Sequence, residues 1–157
     1  MRSPNSLDEA IGTSRGGPTS KVIALTDRSG RFLRFSLRPG YAAESKELIP
    51  LLDRSSEQAS WLLADRTYDS QAMQEDLERR ATEAVIPSTR ARKLPHPYDA
   101  NAYRARRVVE NAFADLKQFR GIATRYCKLA STFASLLSLG CWVLNTRATR
   151  RGASPYD

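Results

Sequence analysis

The sequence predicts a mixed α/β fold, and three observations support this prediction. Two β-rich runs, at 21–26 and 32–37, flank a stretch of turn-forming residues. Two short apolar runs, at 61–64 and 84–86, enclose a helical segment, which is the pattern of a β-α-β unit. Two longer helical patterns follow in the last third of the chain. Strands and helices in this order are typical of layered α/β domains.

Length and composition are those of a single globular domain. The chain has 157 residues, of which 41% are apolar and 27% are charged. It contains no apolar run long enough to span a membrane and none at its start. Its two cysteines, Cys127 and Cys141, and its one histidine, His96, form no pattern of a disulfide framework or zinc site. We therefore expect a soluble, cytoplasmic protein with no membrane partner.

The positive charge is concentrated in the carboxy-terminal part. Residues 88–151 contain 13 Lys or Arg and 3 acids, a net charge of +10, which leaves −2 of the total +8 for the rest. A basic surface of this kind favours a polyanion such as nucleic acid, because bound phosphates release their counterions. A basic face that is only solvated is an equally open interpretation on charge alone.

The sequence predicts three parts. They are a flexible lead-in at 1–19, a domain at 20–147 and a basic tail at 148–157. The first segment is rich in Ser, Gly, Pro and Arg and has no apolar periodicity. The two β-rich runs then form a hairpin around Asp27-Arg28-Ser29-Gly30. A helix is expected at about 43–59, although Pro50 disfavours it.

The β-α-β unit places a carboxylate at the end of a strand. The run 61–64 is apolar throughout, as in a strand covered on both faces, and Asp65 follows it directly. A helix over 70–81, capped by Asp69 or Ser70, leads to the second strand at 84–86. We therefore expect the Asp65 side chain at the carboxyl end of a buried strand.

A basic loop at 88–98 follows the second strand. It carries Arg90, Arg92 and Lys93 together with two prolines. It could bind the phosphate backbone, or it could be a solvated linker, and the sequence favours neither. His96 is expected to be an exposed loop residue.

Four polar residues share one stripe of the helix predicted at 101–119. At about 100° per residue, Tyr103, Arg106, Glu110 and Lys117 fall on one side, next to the apolar face. Arg106 and Glu110 could be an ordinary surface ion pair. Considered with Asp65, however, Glu110 would give two carboxylates, which are ligands suited to Mg²⁺.

The last predicted helix, at 132–146, is strongly apolar and is expected to cover the sheet. Its large apolar side chains are predicted to lie in the core, and both cysteines are predicted to be small buried residues. These side chains are Leu136, Leu137, Leu139, Trp142 and Leu144.

The spacing Tyr103-x2-Arg106-x3-Glu110-x6-Lys117 resembles the Y-R-E-K signature of bacterial insertion-sequence DDE transposases of the four/five superfamily. The segment 63–70, Leu-Ala-Asp-Arg-Thr-Tyr-Asp-Ser, is similar to the family's second-aspartate segment. Ser14-Arg15-Gly16-Gly17 and Pro39-Gly40 are similar to its landmarks around the first hairpin. The resemblance extends from about residue 11 to 144.

The resemblance implies an RNase H-like mixed sheet with flanking helices and metal-dependent cleavage and transfer of DNA strands. Asp65 and Glu110 would be catalytic Mg²⁺ or Mn²⁺ ligands, and Tyr103, Arg106 and Lys117 would bind DNA, with Arg90, Arg92 and Lys93 from the loop. The partners would be double-stranded DNA, namely terminal inverted repeats and target DNA, and further copies of the chain in a homo-oligomer.

The sequence departs from the family pattern at two points. Thr67 stands where the family usually has a glycine, next to the aspartate turn. The family's first aspartate lies on a strand that we expect this chain to lack, and neither Asp8 nor Asp27 is assigned its role. An inactive transposase remnant, or a nucleic-acid-binding protein that is not an enzyme, is the alternative function.

Overall fold

The computed structural model describes residues 10–14, 17–55 and 58–152. The chain divides into two compact units, one formed by Met1–Ala42 with Val108–Asp157 and the other by Ala43–Arg107. The strands are β1 (Gly12–Ser14), β2 (Gly17–Thr26), β3 (Phe32–Pro39), β4 (Trp61–Leu63) and β5 (Glu83–Val85). The helices are α1 (Leu48–Asp53), α2 (Gln71–Arg79), α3 (Ala100–Tyr103), α4 (Arg107–Leu116), α5 (Arg120–Ala123) and α6 (Ala130–Gly152).

Strands and flanking helices occur together, which confirms the mixed α/β class. The described strands nevertheless pair in two small sheets, an antiparallel one of order β1-β2-β3 and a parallel pair β4-β5. The single mixed sheet that the resemblance implies stays a prediction, because the described strands form two sheets in separate units. Strand β2 is paired with β1 on one side and with β3 on the other.

The predicted hairpin is confirmed as β2 and β3. Val22 pairs with Leu37 and Ala24 with Phe35, and the turn lies at the predicted place. Gly30 has a φ of +81°, a backbone conformation that favours glycine, and its N–H donates to the carbonyl of Asp27 at 3.0 Å. The turn-forming residues therefore fix the hairpin as the sequence indicates.

Strand β1 was not predicted. It pairs with the first residues of β2, with Gly12 opposite Thr19, inside the segment expected to be a flexible lead-in. Its residues are small and polar, so backbone pairing and not an apolar pattern defines this strand. Residues 1–9 and 15–16 of the predicted lead-in lie outside the described residues.

Helix α6 packs on the hairpin sheet, as predicted. The core of this unit contains Phe32, Ala112, Leu116, Phe133, Leu137 and Cys141. The rings of Phe32 and Phe113 meet edge to face, with centroids 5.6 Å apart. The helix also continues to Gly152, into the predicted tail, and residues 153–157 lie outside the described part of the chain.

The prediction that all large apolar side chains of α6 are buried was wrong for two of them. Leu137 is fully buried, whereas Leu139 is 57% exposed and Trp142 is 64% exposed. A helix lying on a small sheet buries only one of its sides, so an apolar residue on the opposite side stays in solvent. Cys141 is buried as predicted, while Cys127 is only half-buried, and both are free thiols.

Arg125 has a structural role in the same unit. Its guanidinium donates to the carbonyls of Cys127 at 2.8 Å and Ala10 at 3.2 Å, and to the hydroxyl of Ser20. Its Cζ also lies 4.9 Å from the centroid of the Phe133 ring. This arginine therefore connects the sheet to the loop before α6, and its charged group stabilises the fold.

The second unit contains the predicted β-α-β arrangement. Strands β4 and β5 are parallel, with Leu62 opposite Ala84, and α2 connects them. The Ser70 hydroxyl caps α2 by accepting from the N–H of Met73 at 3.2 Å. Trp61 is 56% exposed, so β4 is not covered on both faces as expected. A sheet of two strands offers little surface for other elements to cover, so Trp61 stays in contact with solvent.

The helix expected at 43–59 is much shorter. A 3-10 turn at Glu44–Lys46 precedes α1, which covers only Leu48–Asp53. Pro50 is tolerated because it lies in the first helical turn, where a backbone N–H has no partner within the helix. The helix ends at Asp53, and Ser55, which follows Arg54, has a lower helix propensity than the leucines before it.

Candidate functional site

Asp65 lies where the sequence predicts, directly after β4. It caps the 3-10 turn Arg66–Tyr68, because its Oδ1 accepts from the N–H of Thr67 at 2.8 Å and from the Thr67 hydroxyl. Thr67, the residue that departs from the family pattern, therefore holds the carboxylate with both its backbone and its side chain. The Asp65 side chain remains 36% exposed and accessible to a ligand.

Two residues of the predicted stripe accompany Asp65 in the second unit. Arg106 Nη2 lies 3.8 Å from Asp65 Oδ2, and Arg106 Cζ lies 6.0 Å from the centroid of the Tyr103 ring. Tyr103 in turn meets Tyr98 edge to face at 5.7 Å between centroids. Because both charged side chains are about one-third exposed, their ion pair contributes little stability, and the guanidinium can turn toward an anionic ligand.

Tyr68 belongs to the surroundings of Asp65 and was not predicted as a site residue. Burial raises the pKa of its hydroxyl far above the usual range, with further contributions from the charges of Glu44 and Asp65, which Arg106 opposes. The phenol therefore stays protonated beside the carboxylates. Its position three residues after Asp65 in the quoted segment is the only sequence signal that could have found it.

The basic loop contains one arginine that is fixed internally. Arg92 forms a two-pronged ion pair with Asp69, with Nη2 2.7 Å from Oδ1 and Nε 3.0 Å from Oδ2. The Asp69 side chain is fully buried and that of Arg92 is only 20% exposed. Arg90 and Lys93, on either side, are exposed. The three cations predicted to bind DNA thus differ in their availability.

His96 is less exposed than predicted. Its side chain is half-buried, and its backbone N–H donates to the Ser88 hydroxyl at 2.8 Å, which closes the loop on itself. Loop residues between prolines are usually solvated, but this hydrogen bond draws the histidine inward. We assign no catalytic role to His96.

Glu110 and Lys117 belong to the first unit. Both are exposed, with Glu110 in the first turn of α4 and Lys117 directly after its last residue. The helix predicted at 101–119 is helical from Ala100 to Leu116, but a 3-10 turn at Arg104–Arg106 lies between α3 and α4, and the helix ends earlier than predicted. The apolar side of α4 is buried as expected at Ala112 and Leu116.

Asp27 has a role that does not involve a ligand. Its Oδ1 accepts from the N–H groups of Ser29 and Arg31 at 2.8 and 3.0 Å, and its Oδ2 accepts from Arg31 Nε at 2.6 Å. Burial raises its pKa, but these hydrogen bonds and the charge of Arg31 bring it below the usual value. Both oxygens are thus engaged in forming the hairpin turn.

Comparison with protein families gives one match. A model of the transposase DDE domain family matches residues 12–146, which is most of the chain. The chain belongs to the transposase DDE domain family. Searches of curated proteins and of solved structures found no significant match. Membership of this family indicates a role in transposition and implies DNA as a partner.

DDE transposases generally use divalent metal ions, and the carboxylates of this DDE domain suit such ions in chemical type. Asp65 offers a hard oxygen ligand that is partly exposed and held in place by Thr67. Within residues 10–14, 17–55 and 58–152, no three His, Cys, Asp or Glu side chains are grouped closely enough to hold an ion. Over the same residues, no helix of this transposase domain is long and apolar enough to cross a membrane.

Proposed function

We propose that this chain is the part of an insertion-sequence transposase that binds transposon-end and target DNA and supplies two carboxylates, Asp65 and Glu110, for strand cleavage and transfer. The observation that carries the proposal is the arrangement around Asp65. A carboxylate at a strand end, held through one oxygen by Thr67, faces Arg106 through the other. The family match and the four-residue signature from Tyr103 to Lys117 support it.

The same proposal includes the RNase H-like fold and the four/five superfamily. The parallel β4-β5 pair with α2 and the antiparallel hairpin β2-β3 support this part of the proposal. A homo-oligomer also belongs to the proposal and can be tested by sedimentation with and without DNA.

Each residue has a distinct task in this mechanism. The hydrogen bonds from Thr67 keep the Asp65 carboxylate oriented before the substrate arrives, which lowers the cost of reaching the reactive geometry. The fork of Arg106 can leave Asp65 and bind two oxygens of one phosphate, whereas Lys117 acts as a point charge. Asp65 and Glu110 would hold Mg²⁺ or Mn²⁺. When bound, the ion would stabilise the charge on the attacking and leaving oxygens during in-line displacement at phosphorus.

The third acid of the family is not assigned to a residue of this chain. Asp27 is committed to the hairpin turn, and Asp8 lies outside the described residues. We therefore propose that cleavage requires a longer protein, in which the residues encoded upstream are joined to this chain. The chain by itself is expected to bind DNA without cutting it.

A nicking assay tests this proposal. The substrate is a supercoiled plasmid carrying the element's own ends, with Mg²⁺ or Mn²⁺. The chain alone is compared with the longer protein. We expect nicking by the longer protein only, abolished by Asp65→Asn or Glu110→Gln and retained by the exposed control Glu78→Gln. Inactivity of the longer protein with intact DNA binding would instead support an inactive remnant that only binds DNA.

A further inference from the structure

The ion pair between Asp69 and Arg92 joins the basic loop at 88–98 to the turn that carries Asp65. Asp69 ends the 3-10 turn that Asp65 begins, since its N–H donates to the Arg66 carbonyl at 3.1 Å. Its carboxylate then receives both prongs of Arg92 and the N–H of Thr89 at 2.7 Å. The candidate metal ligand, Asp65, and the residue that anchors the loop, Asp69, thus lie at the two ends of one 3-10 turn.

Burial makes this anchor strong. The Asp69 side chain is fully covered, its charge is compensated by Arg92, and it accepts a further hydrogen bond from the N–H of Thr89. Charge-assisted, two-pronged pairs are the strongest hydrogen bonds of side chains, and removal of one partner leaves an uncompensated buried charge. The ion pair therefore restrains the loop more than an exposed pair would.

The loop is also ordered from within. The Arg92 N–H donates to the Thr89 carbonyl at 3.1 Å, and the Ser88 hydroxyl accepts from the N–H of His96. These hydrogen bonds leave Arg90 and Lys93 exposed on either side of the anchored arginine. Two exposed cations thus lie on a loop whose centre is fixed to the Asp65 turn.

We infer that Asp69 and Arg92 are positioning residues that hold Arg90 and Lys93 as a phosphate-binding element at a fixed distance from Asp65. This inference rests on the proposed function, because it assumes that the chain binds DNA. Asp69, an acid, then strengthens the binding of a polyanion through the loop it holds. Arg92, a cation, contributes by holding the loop and does not itself touch phosphate.

The sign of the effect of removing Asp69 separates positioning from plain electrostatics. We would measure duplex DNA binding by fluorescence anisotropy over a salt series for the full chain. Loss of a negative charge should strengthen DNA binding or leave it unchanged, and the control Glu78→Gln, an exposed acid of α2, measures that effect. We expect Asp69→Asn to weaken binding by several fold. Binding by Asp69→Asn that equals or exceeds that of Glu78→Gln would overturn the inference.

A thermodynamic cycle identifies the residues through which the pair acts. The double variant Arg90→Ala/Lys93→Ala should reduce the salt slope by about 0.9 for each phosphate that is no longer neutralised. Added to that variant, Asp69→Asn should cause no further loss of affinity, because the cations that it positions are absent. A further loss of the same size as in the wild-type background would show a general structural effect and contradict the inference.

Limited trypsin digestion tests the anchor without DNA. The bonds after Arg90 and Lys93 should be cut faster in Asp69→Asn than in Glu78→Gln, as the loop is released. Arg92→Lys keeps the charge but loses the fork, so weaker DNA binding and faster cleavage than in the wild type test the anchor with this variant if Asp69→Asn does not fold. If trypsin cuts Asp69→Asn no faster than Glu78→Gln, the ion pair does not anchor the loop. If the wild-type chain shows no salt-dependent DNA binding, the proposed function is rejected as well. If the wild-type chain binds DNA but the effect of Asp69→Asn does not depend on Arg90 and Lys93, this inference alone is rejected.

Discussion

The carboxamide of Asn145 hydrogen-bonds to both backbone polar groups of Phe32. Asn145 Oδ1 accepts from the N–H of Phe32 at 2.8 Å, and Asn145 Nδ2 donates to the carbonyl of Phe32 at 2.9 Å. A side chain of α6 thus pairs with the first residue of β3 in the way that a neighbouring strand would. Because Phe32 is buried, few other partners are available for these two groups.

Replacement of Asn145 by leucine should therefore destabilise the protein. Both backbone groups of Phe32 would lose their partner, and we expect the free energy of unfolding to fall by about 1–3 kcal/mol. Urea denaturation followed by circular dichroism measures the change. Thr146→Ala, at the exposed neighbouring position, is the control. Equal stability of the two variants would mean that the Asn145 hydrogen bonds contribute nothing.

A matched pair of leucines tests the packing of the first unit. Leu116→Ala removes a side chain that is 2% exposed and should cost about 2–5 kcal/mol. Leu139→Ala makes the same chemical change at a position that is 57% exposed and should cost about 0.5 kcal/mol or less. Thermal or urea unfolding gives both values. A larger loss of stability for Leu139→Ala than for Leu116→Ala would show that α6 packs through the side that carries Leu139.

Arg106 and Lys117 should affect DNA binding more than folding. Each replacement by alanine is expected to weaken duplex binding and to lower the salt slope by about 0.9 for every phosphate that the variant fails to neutralise. Arg28→Ala, at an exposed position of the hairpin turn, is the matched control and should behave as the wild type. Salt-dependent anisotropy provides the test. Slopes identical to that of Arg28→Ala would exclude both residues from the interface.

Asp69 should make stability depend on pH in the acid range. Burial raises the pKa of its carboxyl, but the hydrogen bonds from Arg92 and Thr89 and the charge of Arg92 outweigh it, so the pKa lies below its usual value of about 3.9. The stabilisation is then fully present above that value and is lost as the pH falls through the lower folded-state pKa. The stability difference between wild type and Asp69→Asn should shrink below about pH 4.

Urea unfolding at a series of pH values measures this difference. Glu78→Gln, which removes an exposed carboxylate, should show a much smaller change over the same range. A wild-type advantage over Asp69→Asn that stays constant down to about pH 2, below the range where such carboxyls titrate, would contradict the proposed role of the ion pair.

The sequence predicted those elements that are determined by residues close together in the chain. The hairpin follows from its β-rich runs and turn residues, and the position of Asp65 follows from the short apolar run before it. Pairings between distant residues left no such pattern. Asn145 and Phe32 are 113 positions apart, and Asp69 and Arg92 are 23 apart, so neither pairing could be inferred from spacing.

Errors in the predicted burial have a related cause. The strongly apolar sequence of α6 predicted that its large apolar side chains lie in the core, but the helix packs on the described sheet through one side, which leaves Leu139 exposed. The 3-10 turn at Arg104–Arg106 was equally hidden, because its residues have ordinary helix propensity.

Both tryptophans of the protein are more than half exposed, Trp61 at 56% and Trp142 at 64%. Indole in contact with water emits at long wavelength whether the chain is folded or not. The intrinsic fluorescence of the native protein should therefore resemble that of the unfolded chain and report poorly on denaturation. The same exposure leaves these two rings sensitive to quenchers in solution, and to any molecule that covers them.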